Sequence, residues 1–431
     1  MQRSRGRISM TRKPIIGRYL TIGMALLPAI GAAALPVRAE SASPVPGLSE
    51  AEAVARGLAL SSYRDVEQRD VDRARVQESG ERLWPNPVVS YSREDAGGTT
   101  EHFATLSQEL SLSGRRGLRA AAAERRTAAA EGRARRSREL RAAEIRTAYY
   151  SVLAAQDRIT AATTWVDQLR DAERAAARRA AAGDVSAYDH RRVARELHSA
   201  ETTVARERAA FEDAWTVLAP WIDVDPAGDG SWPLLSGTLL PEGDFPSLEA
   251  SLEGLSGRGD LEAIENEIRA AGLSGEAAGR GWIPPVTIGA GPKFVDVDGA
   301  NDTGFLVTAS VPLPVFDREQ PEQLRAAAEA RAARGRAVLL RAEAEAHLRG
   351  AWRNAAQLGA AAREHAARTE TDSPGLIRAA EAAYQGGEIG VLEILDAYRT
   401  GFEDRLRRIE LEAEARRARI AVEVAGAGGI D

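Results

Sequence analysis

Two kinds of hydrophobic pattern alternate along the chain. The stretches 114–182 and 317–385 are rich in Ala, Arg and Glu, and their apolar residues recur at helical spacing with few helix breakers. Each stretch predicts one long α-helix, about 100 Å for a run of this length at 1.5 Å per residue. The same spacing predicts four shorter helices, at 48–82, 185–218, 258–279 and 389–424.

Between the helices, apolar and polar residues alternate with a period of two. This alternation predicts two β-hairpins, at 86–112 and 285–316, with the last strand over 305–316. A sheet of four strands has two open edges, which a membrane does not tolerate, so several chains would be needed to close it. The apolar side chains of the last strand are expected to face lipid: Phe305, Val307, Ala309, Val311 and Leu313.

The helices and hairpins occur twice, with a constant offset of 204 residues. This distance separates Gly183 from Gly387 and also separates Leu112 from Phe316. Two repeats of a strand and a very long helix are typical of an extended assembly rather than a compact enzyme. The predicted segments are a signal peptide at 1–39, a first repeat at 40–219, an equatorial linker at 220–257, a second repeat at 258–425 and a tail at 426–431.

The first residues have the pattern of an export signal. Arg12, Lys13 and Arg18 precede an apolar stretch over about 20–35, and Ala39 ends a small-residue cleavage site. A transmembrane anchor is the alternative. It is disfavoured because two prolines interrupt a stretch that is already short for a span.

Charge and sulfur content exclude several classes of function. The net charge of −6 becomes about −13 once the seven basic residues of 1–39 are removed, which argues against nucleic acid and anionic membrane surfaces as partners. The chain has no cysteine and its three methionines all lie within 1–39, so thiolate and thioether metal sites are excluded. The histidines are scattered, and no catalytic or nucleotide-binding fingerprint is present. We therefore expect no metal site, no cofactor and no enzymatic activity.

Four motifs, taken in order, resemble the TolC family of outer-membrane efflux proteins. They are Arg258-Gly-Asp-Leu-Glu-Ala-Ile-Glu265, Trp282-Ile-Pro-Pro285, Val311-Pro-Leu-Pro-Val-Phe-Asp-Arg318 and Tyr384-Gln-Gly-Gly-Glu-Ile-Gly-Val-Leu-Glu-Ile-Leu-Asp396. The resemblance implies a mostly α fold with a membrane β-barrel. Long α-helical hairpins would form a periplasmic α-barrel, and four strands per chain would contribute to the twelve-stranded outer-membrane barrel of a homotrimer.

The resemblance also implies a function. Such a trimer would be the passive channel of a tripartite efflux system, linked by a periplasmic adaptor protein to an inner-membrane pump of RND type. The runs 311–318 and 107–116 look most like the branch that exports heavy-metal cations. Export of drugs or of proteins by type I secretion is an alternative within the family. A periplasmic coiled-coil adaptor or structural protein is the alternative from another class.

A periplasmic gate is implied at the start of the last helix. Glu393 and Asp396 match acidic residues that ring the entrance, and their spacing places both on one helix face. An ordinary solvated face is the alternative. Tyr384 matches a tyrosine that helps to keep the entrance closed, whereas Ile389 stands where the family has an arginine. The helical tips expected to contact the adaptor are Gly183, Asp184, Gly386, Gly387 and Glu388.

Overall fold

The computed structural model describes residues 47–298 and 300–426, without the side chains of 370–373. The predicted signal peptide and the predicted tail beyond Gly426 lie outside these residues. Within the described ranges, no helix is both long enough and apolar enough to cross a membrane.

Long helices and one four-stranded sheet make up the described chain. In chain order, the elements are α1 (Glu50–Ala59), α2 (Ser61–Arg82), β1 (Val88–Ala96), β2 (Thr99–Leu110), α3 (Arg115–Ala182), α4 (Ala187–Ile222), α5 (Leu248–Gly254), a 3-10 helix (Leu255–Gly257), α6 (Gly259–Gly279), β3 (Val286–Val297), β4 (Ala300–Ser310), α7 (Gln320–Gly386) and α8 (Val391–Ala425). This mainly helical chain with one antiparallel sheet confirms the fold class predicted for a single chain.

Helix α3 is the element against which most other helices pack. Helix α2 packs on its first half, where Val71 and Ala74 contact Ala130. Helix α6 crosses it at Gly132, where an added Cβ would lie 2.6 Å from the carbonyl oxygen of Gly259. The Ala-rich sequence therefore has a packing role, because small side chains let the helix backbones approach closely.

Two predicted helices have different limits in the structure. The helix predicted over 48–82 is divided at Leu60, whose ψ of 126° interrupts the helical hydrogen bonds and starts α2 in a new direction. The helix predicted over 185–218 continues through Pro220 to Ile222. Proline removes only one helical hydrogen bond there, and the helix ends two residues later at Ile222, because the next residue, Asp223, has a left-handed φ of 52°.

The last strand begins and ends earlier in the chain than predicted. Asp298 has a left-handed φ of 55°, so the chain reverses tightly and strand pairing resumes at Ala300 instead of residue 305. The ladder stops at the pair Thr287–Ser310, because the partner strand begins only after Pro285. Val311 and Leu313 consequently lie beyond the strand.

The strand register separates apolar from polar side chains. The strand order is β1-β2-β3-β4, and all neighbours are antiparallel. Because side chains alternate along a strand, the paired positions fall on two faces. One face, called the apolar face, carries exposed apolar side chains: Val89, Tyr91, Leu106, Ile288, Phe305 and Val307.

The opposite face, called the polar face, is held by polar contacts. Ser90 and Thr105 are hydrogen-bonded at 2.6 Å between their hydroxyl oxygens. Lys293 and Glu101 form an ion pair with 2.7 Å between Nζ and Oε2. A sheet with an exposed apolar face and a polar opposite face has the side-chain arrangement of a strand set placed between lipid and water.

The linker after α4 is irregular, and side chains of the helices satisfy its backbone. Arg416 of α8 donates hydrogen bonds to the carbonyl oxygens of Thr238, Leu239 and Leu240 at 2.8, 3.0 and 2.7 Å. Its guanidinium also lies 4.6 Å from the ring centre of Tyr150 on α3. One arginine therefore joins the linker to two long helices.

Candidate functional site at the helical tips

The two helical tips have the same backbone geometry, displaced by 204 residues. At the end of α3, the N–H groups of Gly183 and Asp184 donate to the carbonyls of Ala180 and Arg179. At the end of α7, Gly387 and Glu388 donate to Tyr384 and Ala383 in the same way. Gly183 and Gly387 have φ of 86° and 76°, a left-handed conformation that only glycine adopts at low cost.

The starts of the two return helices also correspond. Ser186 caps α4 by accepting a hydrogen bond from the Asp189 N–H at 3.1 Å. At α8 the equivalent residue is Gly390, whose N–H donates to the Glu393 carboxylate at 3.1 Å. Glu393 is therefore the capping side chain of its helix as well as an exposed carboxylate, and its charge is favourable at a helix N-terminus.

The second acidic residue of the predicted gate has a basic neighbour. Asp396 is exposed and accepts a hydrogen bond from Arg399 Nη2 at 2.7 Å. This hydrogen bond, together with the negative charges of Asp396 and Glu403, raises the pKa of the Arg399 guanidinium. Glu393 and Asp396 thus share an exposed helix face, but they differ in charge balance because Asp396 is paired.

Tyr384 is buried between the two tips. Its side chain is 6% exposed, and its hydroxyl has no hydrogen-bond partner among the described residues. The guanidinium of Arg179, at the end of α3, lies 5.3 Å from the ring centre and donates to the Tyr384 carbonyl oxygen at 3.2 Å. Arg179 therefore fastens the tip of α7 to the tip of α3.

An apolar cluster supports this arrangement from all four helices of the tips. Its buried members include Leu169 on α3, Val193 on α4, Tyr384 on α7 and Ile394 on α8. Nearby, the Tyr398 hydroxyl donates a hydrogen bond to the Glu381 carboxylate at 3.1 Å. Burial is the main cause that raises the pKa of the Tyr398 hydroxyl, and the negative charge of Glu381 is the second cause. The tips are thus packed as one unit, while Asp184, Gly386 and Glu388 remain exposed on it.

Sequence reasoning missed the basic side chains of this site. Arg179 has alanine as its counterpart 204 residues later, so the repeat carried no signal for it. Arg399 follows Asp396 at the helical ion-pair spacing, and that spacing was a usable signal. Ile389, where the family arginine was expected, packs against the apolar cluster. Within residues 47–298 and 300–426, no group of three potential metal ligands is present.

Residues 70–220 match the family described as outer membrane efflux protein. This region is therefore similar to that family, and the resemblance stated from the motifs is confirmed. The family consists of outer-membrane channels, which confirms that the chain is not an enzyme and supports an outer-membrane location.

Two curated relatives and one solved structure refine this assignment. The chain is 29% identical to the cobalt-zinc-cadmium resistance protein CzcC of Cupriavidus metallidurans, over 76% of this chain and 77% of that protein. It is 26% identical to the nickel-cobalt-cadmium resistance protein NccC of Alcaligenes xylosoxydans xylosoxydans, over 69% and 68% of the two chains. The open-state MtrE outer membrane channel of Neisseria gonorrhoeae has the same fold, with a TM-score of 0.67, 17% identity and coverage of 90% and 91%.

Proposed function

We propose that three copies of this chain form an outer-membrane channel through which heavy-metal cations leave the cell. The channel is the passive exit of a tripartite efflux system. Its helical tips contact a periplasmic adaptor protein, which links them to an inner-membrane pump of RND type. The observation that carries the proposal is the four-stranded sheet, which has one apolar face, one polar face and two unpaired edges.

The direction of the strands supports closure by identical chains. An even number of antiparallel strands leaves β1 and β4 at the edges, running in opposite directions. The β4 edge of one copy can therefore pair antiparallel with the β1 edge of the next. Pairing between copies satisfies the edge backbone groups, which membrane insertion requires. The apolar face then meets lipid and the polar face lines the water-filled interior.

Two features support cations as the transported class. CzcC and NccC, by their names, confer resistance to cobalt, zinc, cadmium and nickel. In addition, Glu393 and Asp396 lie exposed at the start of α8, and three chains would bring six such carboxylates together at one level. A ring of carboxylates in a narrow aperture favours cations over anions. These two residues, with Tyr384, are the proposed periplasmic gate.

Cysteine crosslinking tests the proposed closure, and the chain is suited to it because it has no cysteine of its own. Val307→Cys on β4 is combined in turn with Val89→Cys, Tyr91→Cys or Arg93→Cys, alternate positions on β1. In outer membranes under oxidising conditions, at least one pair should give a covalent species of three chains on a denaturing gel.

The matched control combines Val307→Cys with Leu106→Cys. Leu106 lies on the inner strand β2. Strand β3 separates it from Val307 within one chain, and strand β1 would separate the two across the edge between copies, so the sulfurs cannot come within disulfide distance. No crosslinked trimer is expected from this pair. Crosslinking that stops at dimers, or none in any pair, would refute a closed ring of three chains.

The charge of the proposed gate is tested with Glu393→Gln combined with Asp396→Asn. Glutamine keeps an acceptor for the Gly390 N–H, so the helix cap and the fold should survive while the charge is lost. In planar bilayers under a ZnCl₂ gradient, the double variant should show a several-fold lower permeability ratio of Zn²⁺ to Cl⁻ than the unsubstituted trimer, because the ring no longer attracts cations.

Arg399→Gln is the opposite test of the same gate. It removes the positive partner of Asp396 and should raise the Zn²⁺ to Cl⁻ permeability ratio. Asp184→Asn, which removes an exposed carboxylate at the other tip, is the matched control and should leave the ratio close to that of the unsubstituted trimer. If the ratio is the same in all variants, Glu393 and Asp396 are only a solvated helix face.

A further inference from the structure

Basic side chains gather at one end of the sheet, where all four strands join the helices. Arg116 follows β2, Arg280 precedes β3 and Arg318 follows β4. In the described part of the chain, none of the three has a carboxylate within ion-pair distance. Other arginines at this end have carboxylate partners, since Arg115 and Arg119 share the carboxylate of Glu319 and Arg82 pairs with Glu78 and Glu124.

The three unpaired guanidiniums contact backbone oxygens and one aromatic ring. Arg116 donates to the carbonyl oxygen of Arg82, and its guanidinium lies 4.2 Å from the ring centre of Trp84. Arg280 donates to the Ser113 carbonyl at 3.1 Å. Arg318 donates to the Pro314 carbonyl at 3.2 Å. These contacts fix the side chains in place and leave their positive charges uncompensated.

A groove of about 720 Å³ opens at this end of the sheet. It lies between the segments 80–85 and 111–120, and both Arg116 and Ser113 line it. Four arginines line it together with Glu81 and Glu109, and among the described residues Arg116 is the lining arginine without a carboxylate in ion-pair distance. Arg280 reaches its wall through the hydrogen bond to Ser113. The groove therefore has room for an anionic group, and Arg116 and Arg280 provide two positive charges without carboxylate partners among the described residues, in a chain whose net charge is negative.

Exposed apolar side chains surround the same end of the sheet. Together they are called the apolar collar, and each is at least 59% exposed: Leu83, Trp84, Leu112, Trp282, Leu313 and Phe316. Leu112 and Leu313 continue the alternation of the apolar face beyond the last paired residues. Tryptophan beside a charged rim is typical of the boundary between hydrocarbon and water in membrane proteins. A ligand that spans the groove and this collar must have both an anionic and an apolar part.

We propose that this groove binds the headgroup of an anionic phospholipid. The phosphate would accept hydrogen bonds from Arg116 and Arg280, whose planar guanidiniums match phosphate oxygens in geometry, and the acyl chains would lie along Leu112 and the apolar face. The adjoining apolar collar favours a lipid over a free phosphate ion. This inference rests on the membrane location in the proposed function.

The other end of the sheet provides a contrast in charge. The hairpin ends there carry exposed carboxylates: Glu94, Asp95, Asp298 and Asp302. Such an end repels anionic headgroups. The binding of anionic lipid is therefore assigned to the helix-proximal end alone, and this fixes which end of the sheet faces a leaflet that contains phosphatidylglycerol.

The test uses delipidated trimers in detergent, titrated with phosphatidylglycerol and followed by native mass spectrometry. Bound lipid should appear in a saturable manner, and phosphatidylethanolamine should bind more weakly. Arg116→Gln and Arg280→Gln should each weaken phosphatidylglycerol binding by about tenfold, the change expected when one charge-assisted hydrogen bond is lost. Arg93→Gln, at the acidic end of the sheet, is the matched control and should bind as the unsubstituted trimer does.

Several outcomes would overturn the proposal. Unchanged binding in both variants, or equal weakening in the Arg93 control, would show that the groove is not the site. Displacement of the lipid by inorganic phosphate at equal concentration would identify a site for a free anion. Because Arg116 also contacts the backbone, Arg116→Lys checks folding, and it should form trimers and retain part of the binding. Trimers that conduct ions but show no preference for phosphatidylglycerol would remove only this inference, whereas chains that never insert would remove the proposed function too.

Discussion

Replacing Gly132 with valine should strongly destabilise the protein. The crossing of α3 and α6 has no room for a side chain, because an added Cβ would lie 2.6 Å from the Gly259 carbonyl oxygen and 3.3 Å from the Ala263 Cβ. Helix backbone cannot yield as a flexible side chain does. The expected loss is roughly 3 kcal/mol, the upper end of overpacking costs. Thermal unfolding followed by circular dichroism at the helix band should show a Tm lower by several degrees.

Gly335→Ala on α7 is the matched control for this substitution. Nothing lies within 4 Å of its added Cβ, and its backbone is helical. Alanine there should raise stability by about 0.5–1 kcal/mol, because it restricts the unfolded chain more than glycine does. A Gly132→Val variant with an unchanged Tm would show that the helices do not cross at this distance.

Arg416→Ala should produce a loss of similar size, at the linker. The substitution removes hydrogen bonds to three consecutive carbonyl oxygens and the contact with the Tyr150 ring. Hydrogen bonds to charged groups contribute roughly 1.5–3 kcal/mol each and are not additive, so a total loss of about 2–4 kcal/mol is expected. Limited proteolysis should then cut within the segment 238–244 while the helices stay resistant.

Arg417→Ala provides the comparison for this second substitution. Arg417 is the next residue of α8 and is exposed, so its loss should change the Tm little and should not open the linker to protease. Arg416→Lys should be intermediate, because an ammonium cannot reach three carbonyls in the geometry of the guanidinium fork. Equal protease resistance in all three variants would contradict the role given to Arg416.

The helices could be predicted from sequence because their signals are local. Long apolar periodicity identified α3 and α7, and the glycines at 183 and 387 marked their ends, where the structure has left-handed turns. The break at Leu60 had no such signal, because residues 58–62 include neither glycine nor proline and the break depends on how α1 packs. There Gly57 meets Ile145 and the Trp221 carbonyl, both far away in the sequence.

The candidate site was predictable only in part for the same reason. Spacing on one helix placed Glu393 and Asp396 on a common face, and the structure shows both exposed at the start of α8. The contact of Arg179 with Tyr384 joins two helices 205 residues apart, and no pattern within either helix requires it. Gly132 is an isolated glycine in a helical pattern, and its role in helix packing follows only from the position of α6 in the structure.

The shared geometry of the two tips has a consequence for stoichiometry. In the proposed trimer, the ends of α3 and α7 would present six turns of the same backbone shape. Their side chains differ, however, because Asp184, Ser186 and Asp189 in one turn correspond to Glu388, Gly390 and Glu393 in the other. A partner that recognises backbone shape would find six equivalent binding sites around the ring. A partner that recognises side chains would find three equivalent binding sites. The number of partners bound per trimer would therefore show whether backbone shape or side chains are recognised.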